Sequence, residues 1–229
     1  MNVLFVLDAE MNSCFYLLSL DKTGKTLLRF GPEQKVADRV LGDVYQSFAD
    51  DSKGFCQWLQ EALQVEIKHY VILTEDALCD FLFAKEDVVE VRNPKAFTFH
   101  GVTNGDNPWV KDRQDFPKGP QSLDFAAFLR FITYQEDAPG VFGIYNRQEH
   151  VMRLIKESLL SSFNPVSLTK TARHLLRLVN TDLGLTDCLR LVGKYQESKG
   201  KMQRITGIEN VDAKSLVPTA IQISLTDFQ

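Results

Sequence analysis

Between Lys118 and Met152 the chain reads KGPQSLDFAAFLRFITYQEDAPGVFGIYNRQEHVM, and this stretch gathers the residues best suited to holding an anion. A Gly-Pro turn leads into an amphipathic helix that ends near Tyr134. A Gly/Pro-bearing loop follows, then a second helix that carries Arg147 and Gln148. Two helix ends meeting across a loop, with Arg130 and Arg147 nearby, form a candidate anion site. Arginine suits that task because its planar fork bonds two phosphate oxygens at once. The alternative reading is two surface helices whose arginines are solvated.

The elements that must position these residues follow from periodicity. Asn2 to Leu7 and Phe15 to Leu20 are short apolar runs rich in β-formers, and Asp21-Lys22-Thr23-Gly24 reads as a hairpin turn before a returning strand, Lys25 to Phe30. Gly31-Pro32 ends that strand. The spacing of Phe55, Leu59 and Leu63 predicts a helix from Ser52, capped by Ser52 or Asp51. Ile67 to Leu73 reads as a strand, Thr74 opens a helix to about Phe83, and Val88 to Val91 is the next strand. Residues 93–120, with Pro94, Asn104-Gly105, Pro108 and Pro117, read as a small accessory β layer. Helices are then predicted at about 122–135, 145–162, 167–179 and 185–197. Strands alternating with helices define an α/β class, and the early hairpin makes the sheet mixed. No stretch reads as a linker, so residues 1–229 are expected to form a single domain.

Composition narrows the chemistry. With 44% hydrophobic and 24% charged residues the chain can bury a full core. A formal charge of −4 disfavours nucleic acid, whose phosphates need a basic face. The charge is uneven, and residues 147–204 are basic. They read as solvated helix faces or as a flank for a phosphorylated ligand or an anionic membrane surface. Cys14, Cys56, Cys79 and Cys188 are widely spaced and are expected as buried thiols. The four histidines are scattered as well, so no transition-metal site is expected. No window approaches the ~20 apolar residues that span a bilayer, and MNVLFVLDAE is unlike a signal peptide.

The Lys118–Met152 stretch resembles the signature region of the LytR-CpsA-Psr family of cell-envelope proteins, roughly G-x-Q-x-L-D-G-x-x-A-L-x-Y-x-R-x-R, a loop, then D-F-G-R-x-x-R-Q. Gly119, Gln121, Leu123, Asp124, Leu129, Phe142, Gly143, Arg147 and Gln148 fall in step with it, and Phe131 takes the tyrosine position. Upstream, LQVEIKHYVILTEDALCDFLFAKEDVVEVRNPKAF is similar to the family's strand, helix and strand. RLIKESLLSS, SLTKTARHLLRLVNTDLGLTDCLRLV and the closing IQISL continue the likeness more weakly. The resemblance implies a three-layer α-β-α arrangement.

The departures fall on charged positions. Thr133 and Gln135 stand where the family has the two arginines of R-x-R, and Val141 and Ile144 replace the Asp and first Arg of D-F-G-R. Ser13 stands at the start of the family's D-T-x-x-x-x-S pattern, and Arg29-Phe30-Gly31-Pro32-Glu33 replaces S-I-P-R-D. The resemblance implies phosphotransfer of a polyprenyl-pyrophosphate-linked anionic glycopolymer onto peptidoglycan, with Mg²⁺ if the domain is active. With so many charged positions replaced, the reading is a divergent domain that binds a polyprenyl-phosphate lipid, a glycopolymer or a catalytic relative, its transfer weakened or lost. An active transferase would draw on Asp8, Glu33, Arg29, Arg130, Arg147 and Gln148, while Glu10 is the other acid near the first strand. A regulatory interaction module is the third reading. Arg147, Gln148, Arg130 and Arg29 are the ligand-binding candidates. No residue is assigned to catalysis and none to a metal, and partners are a lipid phosphate, a glycopolymer or a protein. Family members usually carry an N-terminal anchor, which would place the domain in the extracytoplasmic cell envelope. Without an anchor it is expected in the cytoplasm.

Overall fold

The computed structural model describes residues 1–8, 13–21, 24–84, 86–102, 111–134, 143–160, 164–198, 200–207, 211–212 and 217–218. Its strands and helices run β1 (Asn2–Asp8), β2 (Cys14–Leu20), β3 (Lys25–Phe30), β4 (Lys35–Val36), β5 (Arg39–Val40), α1 (Leu41–Phe48), α2 (Ser52–Leu63), β6 (His69–Thr74) and α3 (Glu75–Leu82). Next come β7 (Val89–Asn93), β8 (Phe97–Val102), β9 (Lys111–Phe116), β10 (Gly119–Leu123), α4 (Phe125–Thr133), α5 (Gly143–Leu160) and α6 (Pro165–Leu178). The chain continues with β11 (Asn180–Thr181), α7 (Leu185–Glu197), β12 (Met202–Thr206), β13 (Val211–Asp212) and β14 (Val217–Pro218). The class is α/β with a central mixed sheet. The chain divides into two compact units, Met1–Leu73 with Val179–Gln229, and Thr74–Leu178.

The first unit is built on a six-stranded sheet in the order β11-β6-β1-β2-β3-β12. The β1-β2-β3 meander is antiparallel, as the hairpin signal predicts. β12 then pairs with β3 in parallel, Ile205 opposite Leu28, which makes the sheet mixed. Period-2 alternation places Leu4, Val6, Phe15, Leu17, Leu28 and Phe30 on one face, packed against Leu41 and Val44 of α1 and Phe55, Leu59 and Leu63 of α2. The Phe15 ring centroid lies 5.7 Å from Phe30, 5.7 Å from Phe55 and 5.4 Å from Tyr45, so aromatic contacts fasten both helices to the sheet. Asp51 caps α2 by accepting from the Gly54 N–H at 2.9 Å. Gly42 lets α1 close on Pro32. Its N–H donates to the Pro32 carbonyl at 2.8 Å, and a Cβ there would come within 2.9 Å of the proline ring.

The second unit contains α3, α4, α5, α6 and two strand pairs, β7 with β10 and β8 with β9, both antiparallel. Thr74 and Asp124 cap α3 and α4, accepting from the N–H groups of Ala77 and Ala127. The start of α4 is later than the apolar spacing predicts because Leu123 is already committed to β10, opposite Val89. Glu10, Gln135, Val141, Phe142, the Lys22-Thr23 tip of the first hairpin, the loop around Asn104-Gly105 and Pro108, and residues 221–225 lie outside the described residues.

Candidate functional site

The signature residues meet in the second unit, on α4 and α5. Along α5 the inward positions are Gly143, Arg147, Gln148, Val151 and Ile155, a stripe at helical spacing that places a charge and an amide among core residues. Arg147 is 2% exposed and Gln148 is 1% exposed. Neither is a solvated surface residue.

Arg147 is enclosed by aromatic rings. Its guanidinium carbon lies 4.5 Å from the Phe97 ring centroid, 5.5 Å from Tyr134 and 5.9 Å from Phe131. Those rings pack on one another, Phe97 stacking on Tyr134 at 4.6 Å and on Phe116 at 4.7 Å. An Nη2–H of Arg147 donates to the carbonyl of Tyr134, the residue that closes α4. A cation at a helix C-terminus meets the negative end of the helix dipole, and desolvated rings add cation–π attraction of about 2 kcal/mol. Arg130, in the last turn of α4, donates from Nη1 to the Gln114 side-chain oxygen at 2.9 Å and lies 5.8 Å from the Phe99 ring. Thr133, at a family arginine position, donates its hydroxyl to Leu129 O at 2.8 Å, one turn back in its own helix.

The Oε1 of Gln148 is fully buried and has no hydrogen-bond partner among the described residues. A buried acceptor left this way costs about 1–3 kcal/mol. Rotating the terminal amide exchanges its oxygen and nitrogen, so this position can offer an acceptor to a hydroxyl or a donor to a phosphate oxygen.

The remaining candidates belong to the first unit. Arg29 on β3 donates from Nη2 to Thr206 Oγ1 of β12 at 3.2 Å. Where β1 ends and β2 begins, Asp8 accepts from the Ser13 hydroxyl at 2.8 Å and from the phenol of Tyr45 on α1. Burial, then the charge of Asp8 and the hydrogen bond to it, pushes the Tyr45 phenol well above its ordinary range. Glu33 is exposed on the turn after β3. All four cysteines are buried free thiols, and burial pushes Cys56 and Cys79 up to about 12, far from a reactive thiolate. The aromatic box around Arg147 escapes the sequence reading. Its signal is the same-face alternation of Phe97 and Phe99 in β8.

Fold and site together define an α/β domain whose signature helix turns Arg147 and Gln148 inward. The model of the LytR_cpsA_psr family matches residues 52–221, well over half of the chain, and the chain belongs to that family. No match was found among curated protein sequences. Among solved structures the chain is similar to TagV of B. subtilis, at 17% identity and a TM-score of 0.65, over 90% of this chain and 83% of that one. It is also similar to the LytR-Csp2A-Psr enzyme of Actinomyces oris, at 14% identity and a TM-score of 0.66, over 90% and 79% of the two chains. A transcriptional regulator of Enterococcus faecalis matches at 19% identity and a TM-score of 0.62, over 90% and 75%. At such identities these likenesses concern the fold. Among the described residues no helix is long and apolar enough to cross a membrane.

Proposed function

We propose that this chain is a LytR-CpsA-Psr domain that binds a polyprenyl-phosphate lipid or the anionic glycopolymer it carries, with phosphotransfer weakened or lost. The observation that carries this reading is on α5: beside Arg147, which binds the Tyr134 carbonyl within its aromatic box, Gln148 holds a buried Oε1 with no hydrogen-bond partner among the described residues. A ligand oxygen or hydroxyl seated at Gln148 offsets the desolvation cost of that amide. Arginines that would neutralise a pyrophosphate during transfer are scarce. Thr133 and Ile144 hold two of the family's arginine positions, and Arg130 is engaged by Gln114. With an N-terminal membrane anchor this work falls at the extracytoplasmic face of the envelope, and without one in the cytoplasm.

Mg²⁺ is the metal such transfer would use, and it demands hard oxygen ligands, chiefly carboxylates. Asp8 offers one carboxylate, already accepting from two hydroxyls, and Ser13 stands where the family has a second. Among the described residues no three acidic, histidine or cysteine side chains gather as a metal would require. That donor set fits Mg²⁺ poorly, so no step is derived through it.

Calorimetric titration with a polyprenyl pyrophosphate, with and without Mg²⁺, tests the reading. Micromolar or tighter binding that Gln148→Ala weakens about tenfold is expected, with no transfer of a lipid-linked glycopolymer to peptidoglycan. Absence of saturable heat from folded protein would overturn the binding role. Mg²⁺-dependent transfer lost in Gln148→Ala would overturn the claim of weak catalysis. A second reading, an active transferase, is favoured by one observation. The Asp8 carboxylate, fixed by Ser13 and Tyr45, is poised to accept a proton from an attacking hydroxyl. Transfer that survives in wild type and disappears in Asp8→Asn would establish it.

A further inference from the structure

Two packed helices of the second unit carry opposite charges side by side. On α3 the exposed acids are Asp76 and Asp80, one turn apart. On α6 the exposed cations are Lys170, Arg173 and Arg177, which share one face at i, i+3 and i+7. The two helices pack on each other, and His174 of α6 stacks its ring on Phe81 of α3 at 5.9 Å. Among the described residues none of these five charges is in an ion pair. No Asp or Glu occurs from Ser158 to Asn180, so α6 carries no acid of its own and the two signs stay on separate helices.

The large apolar side chains that stand out from the surface border the same stripes. Among the described residues they are Val88, Phe125 and Val166, at 42%, 48% and 61% exposure. Val166 lies one turn before Lys170 on the basic face. Phe125 sets its ring 5.7 Å from that of Phe83, the residue that closes α3. Val88 precedes Val89, whose strand partner Leu123 lies two residues before Phe125. The acidic stripe therefore runs into an apolar patch, and the basic stripe starts with an apolar side chain. Exposed apolar surface rimmed by charge marks a binding face.

Charge decides what that face fits. Packed helix axes lie about 8–10 Å apart, and the Debye length at physiological salt is about 8 Å. Water and salt therefore weaken the attraction between stripes that lie side by side in one molecule. Face to face, the same charges come within ion-pair reach and lose much of that screening. A surface with an acidic half beside a basic half is complementary to its own copy turned about a two-fold axis, because each half lands on its opposite. A partner of one sign, such as a polyanion, an anionic membrane or a basic protein, meets one half that repels it.

We infer that this face of the second unit is the contact of a two-fold dimer formed with a second copy of the chain. In it α3 of each copy lies against α6 of the other, and Val88, Phe125 and Val166 supply the apolar area. The contact is small and charged, which places it among weak, salt-sensitive interfaces. It stands apart from the α5 reading, since none of its residues belongs to that helix.

Sedimentation velocity of the full chain tests the dimer. Wild type is expected to pass from monomer to dimer between about 1 and about 100 μM, with a dissociation constant that rises at least about tenfold from about 50 to about 500 mM salt. Asp76→Lys/Asp80→Lys makes both halves basic, and Arg173→Glu/Arg177→Glu makes both halves acidic. Each variant alone should stay monomeric, and an equimolar mixture of the two should form a dimer at least as tight as wild type. That recovery also shows that both variants are folded. Phe125→Ser/Val166→Ser should keep the wild-type melting curve and weaken the dimer about tenfold. Wild type that stays monomeric at about 100 μM and low salt would overturn the inference. A mixture that does not associate, or a reversed variant that dimerises alone as wild type does, would overturn it as well. Growth beyond a dimer would replace the two-fold contact with a head-to-tail one and so refute it.

Discussion

Arg147 donates to the carbonyl of Tyr134 while its guanidinium lies 5.5 Å from the ring of the same tyrosine, so one side chain both closes the end of α4 and stacks on its terminal residue. The relationship crosses thirteen positions of sequence and ties the two signature helices together. Arg147 thus joins the helices on which Gln148 depends.

Truncating it should be costly. Arg147→Ala removes a charge-assisted bond to a buried carbonyl, a cation–π contact and packing volume, for a loss of about 3–5 kcal/mol. Arg147→Lys keeps the charge but not the planar fork, and should recover less than half of that loss. Urea midpoints of the two variants at constant m-value check the order. Equal stability of wild type and Arg147→Ala would refute the box.

Gln148→Leu should move stability and binding in opposite directions. The substitution removes a buried acceptor that has no partner among the described residues and fills similar volume, so unfolding free energy should rise by about 1 kcal/mol. Affinity for polyprenyl pyrophosphate should drop about tenfold or more. Such a trade marks a residue retained for ligand contact. A destabilised Gln148→Leu would mean that the amide serves the fold.

Much of this architecture is legible in the residues, and the exceptions share a cause. Lys25 to Phe30 emerges from the turn that precedes it, and the helix from Ser52 from apolar periodicity that coincides with a cap. Helix α1 is not foreseen, since Gly42 weakens its propensity and its formation rests on long-range packing of Tyr45 against Phe15 and Phe55. β12 has a single fully buried apolar residue, Ile205, and owes its existence to pairing with β3, far away in the chain. At the site, sequence places Arg147 and Gln148 in step with the family pattern. It leaves open which way they face, because an arginine on a core stripe is legible only once the aromatic rings that receive it are located.

Asp8 should matter to stability as well as to any chemistry. Asp8→Ala leaves the buried Ser13 hydroxyl and the half-buried Tyr45 phenol without their common acceptor, a loss of about 2 kcal/mol. Asp8→Asn retains an acceptor oxygen and should lose about half as much. The Tyr45 phenol should also ionise at lower pH in Asp8→Ala, because a charge and a hydrogen bond that oppose ionisation are gone. Alkaline difference spectra of the variant and wild type read this directly, and superimposable titrations would rule the contact out.

Stability should also fall on mild acidification, through His150. Its Nε2 lies 2.9 Å from the Arg92 N–H, joining α5 to β7, and its Nδ1 faces Arg153 Nη2 at 2.5 Å, so both ring nitrogens meet donors: a neutral ring accepts from one of them and a protonated ring from neither. Burial first, then the charge of Arg153 and less so of Arg92, hold the imidazole below its ordinary value, with Glu157 opposing them. The unfolded chain therefore takes up the proton at a higher pH, near 6.5, than the folded one does. The contribution of His150 is complete above that unfolded value and is lost as pH falls through the folded one. Urea midpoints should thus decline from about pH 7.5 to about pH 5.5, and more steeply in wild type than in His150→Gln, whose amide oxygen can accept but does not titrate in this range. The difference between the two profiles isolates His150 from His69, His100, His174 and the carboxylates, which both proteins share. Parallel profiles would mean that the Arg92–His150 bond does not hold α5 against β7.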